Sequence, residues 1–256
     1  MRMAGLLEVC ADSVGSAVNA ARGGADRIEL CSALPLGGLS PDEDLFCMVR
    51  ERVDIPVRVL LRPRAGDFLY DEDEFELLCR QASRFAGLGA DGIVIGMLNP
   101  DGTLDAERMS ALMACGDGCG VTLHRAFDVC RDAHEALRTA KKLGVDTILT
   151  SGQQARCADG APLLRELVSE SGEGLRILIG GGVNADVIRA LAPQTGADAF
   201  HLSAKAAVPS GMEFRRENVP MGIPGLNEFE LWRCDEGAVR AAREALDAVC
   251  TARKEN

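Results

Sequence analysis

Four short tripeptides set the frame of this chain. Gly24-Ala25-Asp26, Gly89-Ala90-Asp91, Gly144-Val145-Asp146 and Gly196-Ala197-Asp198 each end a helix-like stretch and stand directly before a run with strand character. A glycine takes the left-handed conformation that closes a helix, and a short turn then enters the strand. The strand-like runs are Leu6–Ala11, Arg27–Cys31, Val57–Arg62, Gly92–Gly96, Val121–His124, Thr147–Thr150, Arg176–Gly180 and Ala199–Ser203. The tripeptides therefore precede the second, fourth, sixth and eighth runs. Strand starts recur about every 28 residues, the length of one βα unit. Amphipathic stretches such as Asp71–Leu88, Asp132–Leu143 and Asn184–Gln194 lie between them, and Ser13, Asp71, Asp105, Asp132 and Asn184 stand where helix N-caps belong.

Eight such units in 256 residues predict an α/β fold, a single (β/α)8 TIM barrel covering residues 1–256. Residues 209–235 read as an extended loop after strand eight, and 236–254 as the closing helix. A doubly wound sheet would want a glycine-rich turn after its first strand, and Cys10-Ala11-Asp12-Ser13 has none. The long segment carries Met212, Phe214, Met221, Phe229 and Trp232. It either folds over the barrel mouth or makes a homo-oligomer contact, a dimer foremost.

Composition narrows the partners. With 39 acidic against 28 basic residues, the net charge of −11 argues against a nucleic-acid partner or an anionic membrane surface. No window is long and apolar enough for a membrane span, and no signal-like apolar region precedes Leu6. Ten scattered cysteines without a CxxC pair read as reduced thiols, so a soluble cytoplasmic protein is expected.

Strand alternation sorts the side chains. Leu7 and Val9 share one face, leaving Glu8 and Cys10 to point inward; Ile28 and Leu30 leave Glu29 and Cys31 inward. Thr122 with His124, and His201 with Ser203, face in on the fifth and eighth strands; the third carries Arg58 and Arg62 on one face, with Arg64 beyond its end. Barrel interiors are ordinarily filled by branched aliphatics, so carboxylates, thiols, imidazoles and arginines here imply a paired network or a ligand site. Gly180-Gly181-Gly182 after strand seven and Ser203-Ala204-Lys205 after strand eight occupy the places where barrels bind phosphate, although the glycines also suit a plain tight turn. His134 is expected to face solvent, apart from any site.

These motifs resemble the CutC family, named for copper homeostasis. The resemblance rests on Glu8-Val9-Cys10, Asp26-Arg27-Ile28-Glu29-Leu30-Cys31-Ser32, Gly37-Gly38-Leu39-Ser40-Pro41 and Arg62-Pro63-Arg64. It continues through Gly66-Asp67-Phe68, His124-Arg125-Ala126-Phe127-Asp128, Leu149-Thr150-Ser151-Gly152, and Met212 with Phe214-Arg215. Ala65 stands where the family usually has glycine. The resemblance implies a TIM barrel, cytoplasmic copper binding, and Cys10 and Cys31 as Cu(I) ligands, with no settled reaction.

The residues themselves leave two chemistries open. Cu(I) prefers thiolates, and Cys10 and Cys31 are expected at equivalent positions on neighbouring strands. Buried cysteine is also an ordinary core residue, and Cys115 with Cys119 suits a turn better than a metal. The alternative is an enzyme acting on a small phosphorylated or polyol-like anionic metabolite. Glu8 or Glu29 would be the base, His124 the partner acid and Arg62, Arg64 or Arg125 the anion binder, with Gly181, Gly182 and Ser203 around a phosphate.

Overall fold

The computed structural model describes residues 5–216, 219 and 227–255. Strands β1 (Leu6–Ala11), β2 (Arg27–Leu30), β3 (Val57–Leu60), β4 (Gly92–Ile95), β5 (Gly120–Leu123), β6 (Thr147–Thr150), β7 (Arg176–Ile179) and β8 (Ala199–Leu202) run parallel in chain order. β1 pairs with β8 and closes the barrel, as the repeat predicts. Helices α1 (Val14–Arg22), α2 (Glu43–Arg50), α3 (Glu72–Gly87), α4 (Ala106–Cys115), α5 (Ala133–Leu143), α6 (Ala161–Ser171) and α7 (Ala185–Thr195) follow β1 to β7, and α8 (Glu236–Glu255) completes the jacket. The expected caps are present: Ser13, Asp71, Asp105, Asp132 and Asn184 each accept a first-turn backbone N–H. Asp42, not foreseen, does the same for α2.

The outward strand residues, among them Leu7, Val9, Ile28, Leu30, Val121, Leu123, Phe200 and Leu202, join Phe46, Phe85, Leu164 and Ile188 of the helices in one continuous core. Each such side chain stabilises the jacket by roughly 1.5–3 kcal/mol. No helix among the described residues is long and apolar enough to cross a membrane.

The tripeptide repeat does more than close helices. Gly24, Gly89, Gly144 and Gly196 all have φ between +79° and +94°. The aspartate that follows then turns back onto the preceding strand. Asp26 accepts the N–H of Leu7 at 2.7 Å, Asp91 that of Val57 at 2.8 Å, and Asp146 that of Val121 at 2.7 Å. Each also meets an arginine, Arg243, Arg50 and Arg58 in turn, while Asp198 faces Arg176 of β7. The barrel floor depends on one of these pairs. Arg58 donates to both oxygens of Asp146 and to Thr122, lying so close to Gly92 and Gly120 that a Cβ at either would fall within 2.8 Å of it. Arg58 therefore seals the floor, while Arg62, on the same face of the chain, belongs to the mouth.

The segment after β8 departs from expectation. It is not loop at its ends: β9 (Lys205–Pro209) and β10 (Glu230–Cys234) form an antiparallel ribbon. Its base rests on α1, where Asn19 donates to the Cys234 carbonyl and Ser16 accepts the Cys234 N–H. Val208, Leu231, Met212 and Phe214 are exposed along this arm. Met221 lies outside the described residues. His134 is partly exposed on the helical jacket, where it lies between Glu166 and Glu170 of α6.

Removing Asp146 leaves Arg58 without its counter-ion and Val121 without its acceptor. Asp146→Ala is expected to lower unfolding free energy by about 3 kcal/mol, and Asp91→Ala, whose arginine is more exposed, by about 1 kcal/mol. Urea denaturation of both variants measures this, and an equal or reversed order contradicts an ionic floor.

Candidate functional site

Inward residues of β1, β2 and β8, with Arg27 at the start of β2, form one ionic cluster in the barrel interior. Glu8 is fully buried; its Oε2 accepts from Arg27 Nε at 2.5 Å and its Oε1 pairs with His201 Nδ1 at 2.7 Å. The strand register dictates this, placing Glu8 opposite Arg27 on one side and His201 on the other. Burial alone would raise the Glu8 pKa, but Arg27 and His201 outweigh it and bring it down to about 2. Burial would likewise strip His201 of its proton. Cys10, Glu29 and Glu8 prevail, holding the ring well above its ordinary pKa, so Nδ1 donates to Glu8. Glu29 meets the opposite fate. Burial and the charge of Glu8 exceed the pull of His201 and Arg27, and its pKa rises to about 7. Its Oε2 is buried with no partner, as is Arg27 Nη2.

One donor atom from each of Glu8, Glu29 and His201 lies within 4.8 Å of the others. That oxygen and imidazole set suits a hard or borderline divalent ion, not Cu(I). Both Glu8 oxygens are already committed, and Arg27 supplies the balancing charge.

The thiols lie beside this cluster. Cys10 touches the His201 ring and donates to the Leu202 carbonyl at 3.8 Å; Cys31 donates to Ala11 at 3.6 Å. The sequence leads one to expect equivalent positions for them, and the structure does not place them so. Cys10 pairs in register with Glu29, so Cys31 stands two residues farther along. Strand spacing and rise then put their Cα atoms about 8 Å apart, too wide for a disulfide and open to a bridging ion. The loop after β2 covers Cys31. A Cβ at Gly38 would lie 2.8 Å from Leu60 and 3.7 Å from the Cys31 sulfur. Burial, with Cys10, Glu29 and Asp12 nearby, pushes the Cys31 thiol well above its usual pKa.

Other candidate residues serve different neighbourhoods. Arg62 donates to the carbonyls of Leu36, Gly38 and Gly66 and so clamps that covering loop. Its guanidinium carbon sits 5.2 Å from the Phe68 ring centre, and Phe68 packs on His124 at 4.9 Å. Arg64 is half-exposed and bound to Glu74 and Asp67. Arg125 pairs with Asp128, which also accepts from Thr150, Ser151 and Gln153, closing a clasp between the loops after β5 and β6. Gly181 and Gly182 have φ of +95° and +87°, and a Cβ at Gly181 would come within 3.0 Å of Ser151. Ser203 is half-buried, and the chain runs from it into β9 in place of the short helix a phosphate site would use. Arg27, Tyr70 and the Asp128 clasp were missed. Alternation alone puts Arg27 on the face of Glu29 and Cys31, so that signal was present.

Comparison with known proteins agrees with this architecture. The CutC family profile matches residues 5–206. A family protein CutC from Bacteroides fragilis is 45% identical over 227 residues, 88% of this chain and 90% of the relative. The human copper homeostasis protein cutC homolog is 44% identical, covering 92% of this chain and 86% of that protein. A solved structure, the putative copper homeostasis protein CutC from Streptococcus agalactiae, superimposes with a TM-score of 0.73 at 26% identity, over 78% of this chain and 98% of that one. A thiamine phosphate pyrophosphorylase from Pyrococcus furiosus, 18% identical with a TM-score of 0.56, shares the fold alone. The chain belongs to the CutC family.

Proposed function

We propose that this protein takes part in copper homeostasis in the cytoplasm, taking up Cu(I) through the thiols of Cys10 and Cys31. The observation that carries the reading is two free, buried thiols on adjoining strands at the barrel mouth, too far apart to oxidise to one another. A soft monovalent ion is matched by thiolates and not by the neighbouring carboxylates. The names of the human and Streptococcus relatives point the same way. Copper is cargo here, and its entry requires the loop at Gly38 to lift from Cys31. The exposed apolar arm formed by β9 and β10 is the surface we assign to a second copy, which light scattering would reveal as a dimer and a monomeric mass would refute.

Because binding expels a thiol proton, affinity rises with pH, by up to about tenfold per unit for each proton released below the thiol pKa. Competition against a coloured Cu(I) chelator between pH 6 and 8 should show that slope. Cys10→Ser and Cys31→Ser should each weaken Cu(I) binding at least 100-fold; unchanged affinity in both variants removes the thiol site.

A second reading is favoured by one observation, the splitting of two neighbouring carboxylates to pKa values of about 2 and about 7. Paired groups driven apart in this way suit acid–base chemistry. Glu29 would hold and release the proton for a small phosphorylated or polyol-like metabolite, with Arg62 and His124 near the substrate. Arg64, Arg125, Gly181, Gly182 and Ser203 would line the far side of such a site. The folded state keeps a Glu29 proton that the unfolded chain releases above about pH 4.5. The stability from this group is therefore full below 4.5 and is lost as pH rises through 7. The infrared band of a protonated carboxyl should titrate near pH 7 and be missing from Glu29→Gln. A band that vanishes by pH 5 in the parent protein overturns the assignment.

A further inference from the structure

A cluster separate from the thiols lies beyond the upper ends of β3 and β5, and each of its unpartnered groups carries a proton to donate. Arg62 is 8% exposed; its guanidinium meets three backbone carbonyls and pairs with no carboxylate among the described residues. Its Nε is buried without a partner. The Tyr70 hydroxyl touches the same guanidinium and is itself buried with no acceptor for its proton. His124 is the third member. Its Nδ1 accepts the N–H of Ala126 at 3.1 Å, while burial and Arg62 keep the ring neutral, with a pKa of about 3. The one ring proton therefore resides on Nε2, and that N–H is also buried and unpartnered. Phe68 touches both Arg62 and His124 and walls the cluster on one side.

A buried cation without a counter-ion is costly, and each buried unsatisfied donor adds about 1–3 kcal/mol. Here one positive charge and three such donor groups occur together. What such donors lack is a group with negative charge and several lone pairs.

We propose that Arg62, Tyr70 and His124 form a binding site for a small oxyanion, the carboxylate or phosphate group of a metabolite or the free ion. Arg62 supplies the charge. Tyr70 O–H and His124 Nε2–H supply direction, which favours an oxyanion over a halide. His124 acts here as a fixed neutral donor, not as a base or a metal ligand. The site is independent of the copper reading. It gives the anionic end of the second reading's substrate a place without requiring any turnover.

The test uses the full chain, melted in sodium acetate, phosphate or sulfate against sodium chloride at matched ionic strength. A saturable rise in melting temperature with at least one oxyanion, and none with chloride, is expected. The acetate and phosphate arms tell a carboxylate site from a phosphate site. In nitrogen-15 spectra the His124 Nε2–H signal should be present without ligand and move on titration with the same salt. Tyr70→Phe, which removes one hydroxyl, should reduce affinity about tenfold while leaving Cu(I) binding and circular dichroism unchanged. No saturable response to any oxyanion, or a wild-type response in both Tyr70→Phe and His124→Gln, overturns the site. Failure of the Cu(I) titration alone would sink the thiol reading and leave this one standing.

Discussion

The ionised carboxylate of Glu8 is the constraint on which the barrel interior depends. It closes the seam between the first and last strands, since its two oxygens reach Arg27 on β2 and His201 on β8 at once. Neither cation has another carboxylate so firmly held, and a buried ion stripped of its partner costs several kcal/mol. Burial, reinforced by the negative charge of Glu8, leaves the neighbouring Glu29 to keep a proton near neutrality. The same charge balance sets the electrostatic surroundings of Cys10 and Cys31. Proton holding at Glu29 and closure of the barrel are thus coupled through one side chain.

The two ends of the cylinder are built for different tasks. Below, Arg58, Asp146 and Thr122 satisfy one another and fill the floor. Above, Arg62, Tyr70 and His124 retain buried polar atoms without partners, as do Glu29 and Arg27 in the interior between. Two of the arginines that the sequence offers as anion binders also hold loops together. Arg64 fastens its own loop to α3, and Arg125 with Asp128 joins the loops after β5 and β6. Structural ion pairs and ligand-binding ones use the same residue types, so type and position along a strand cannot separate them.

The fold was legible because its signals are local. Helix caps, left-handed glycines and strand alternation each act over a few residues, and together they located all eight barrel strands to within two residues. Alternation also put Glu8, Cys10, Glu29 and His124 on the inner face. What it could not give was register. The two-residue stagger between Cys10 and Cys31 depends on how β1 slides against β2, a contact between distant segments. The ribbon of β9 and β10 looks like loop in the sequence because its strands are short and separated by a proline- and glycine-rich stretch. Tyr70 carried no signal at all, since its role arises only when its loop folds back on Arg62.

The aspartates that begin alternate strands have an implication for how such a molecule came to be. Asp26, Asp91 and Asp146 each hold a backbone N–H of the strand just before, and Asp198 pairs with Arg176 of β7, so every pair of strands with its intervening helix carries its own internal fastening. The ring is therefore four similar quarters, each self-clasped, set side by side. Growth by copying a half or a quarter would have preserved the clasp in every copy, and a break between quarters would cut none of them.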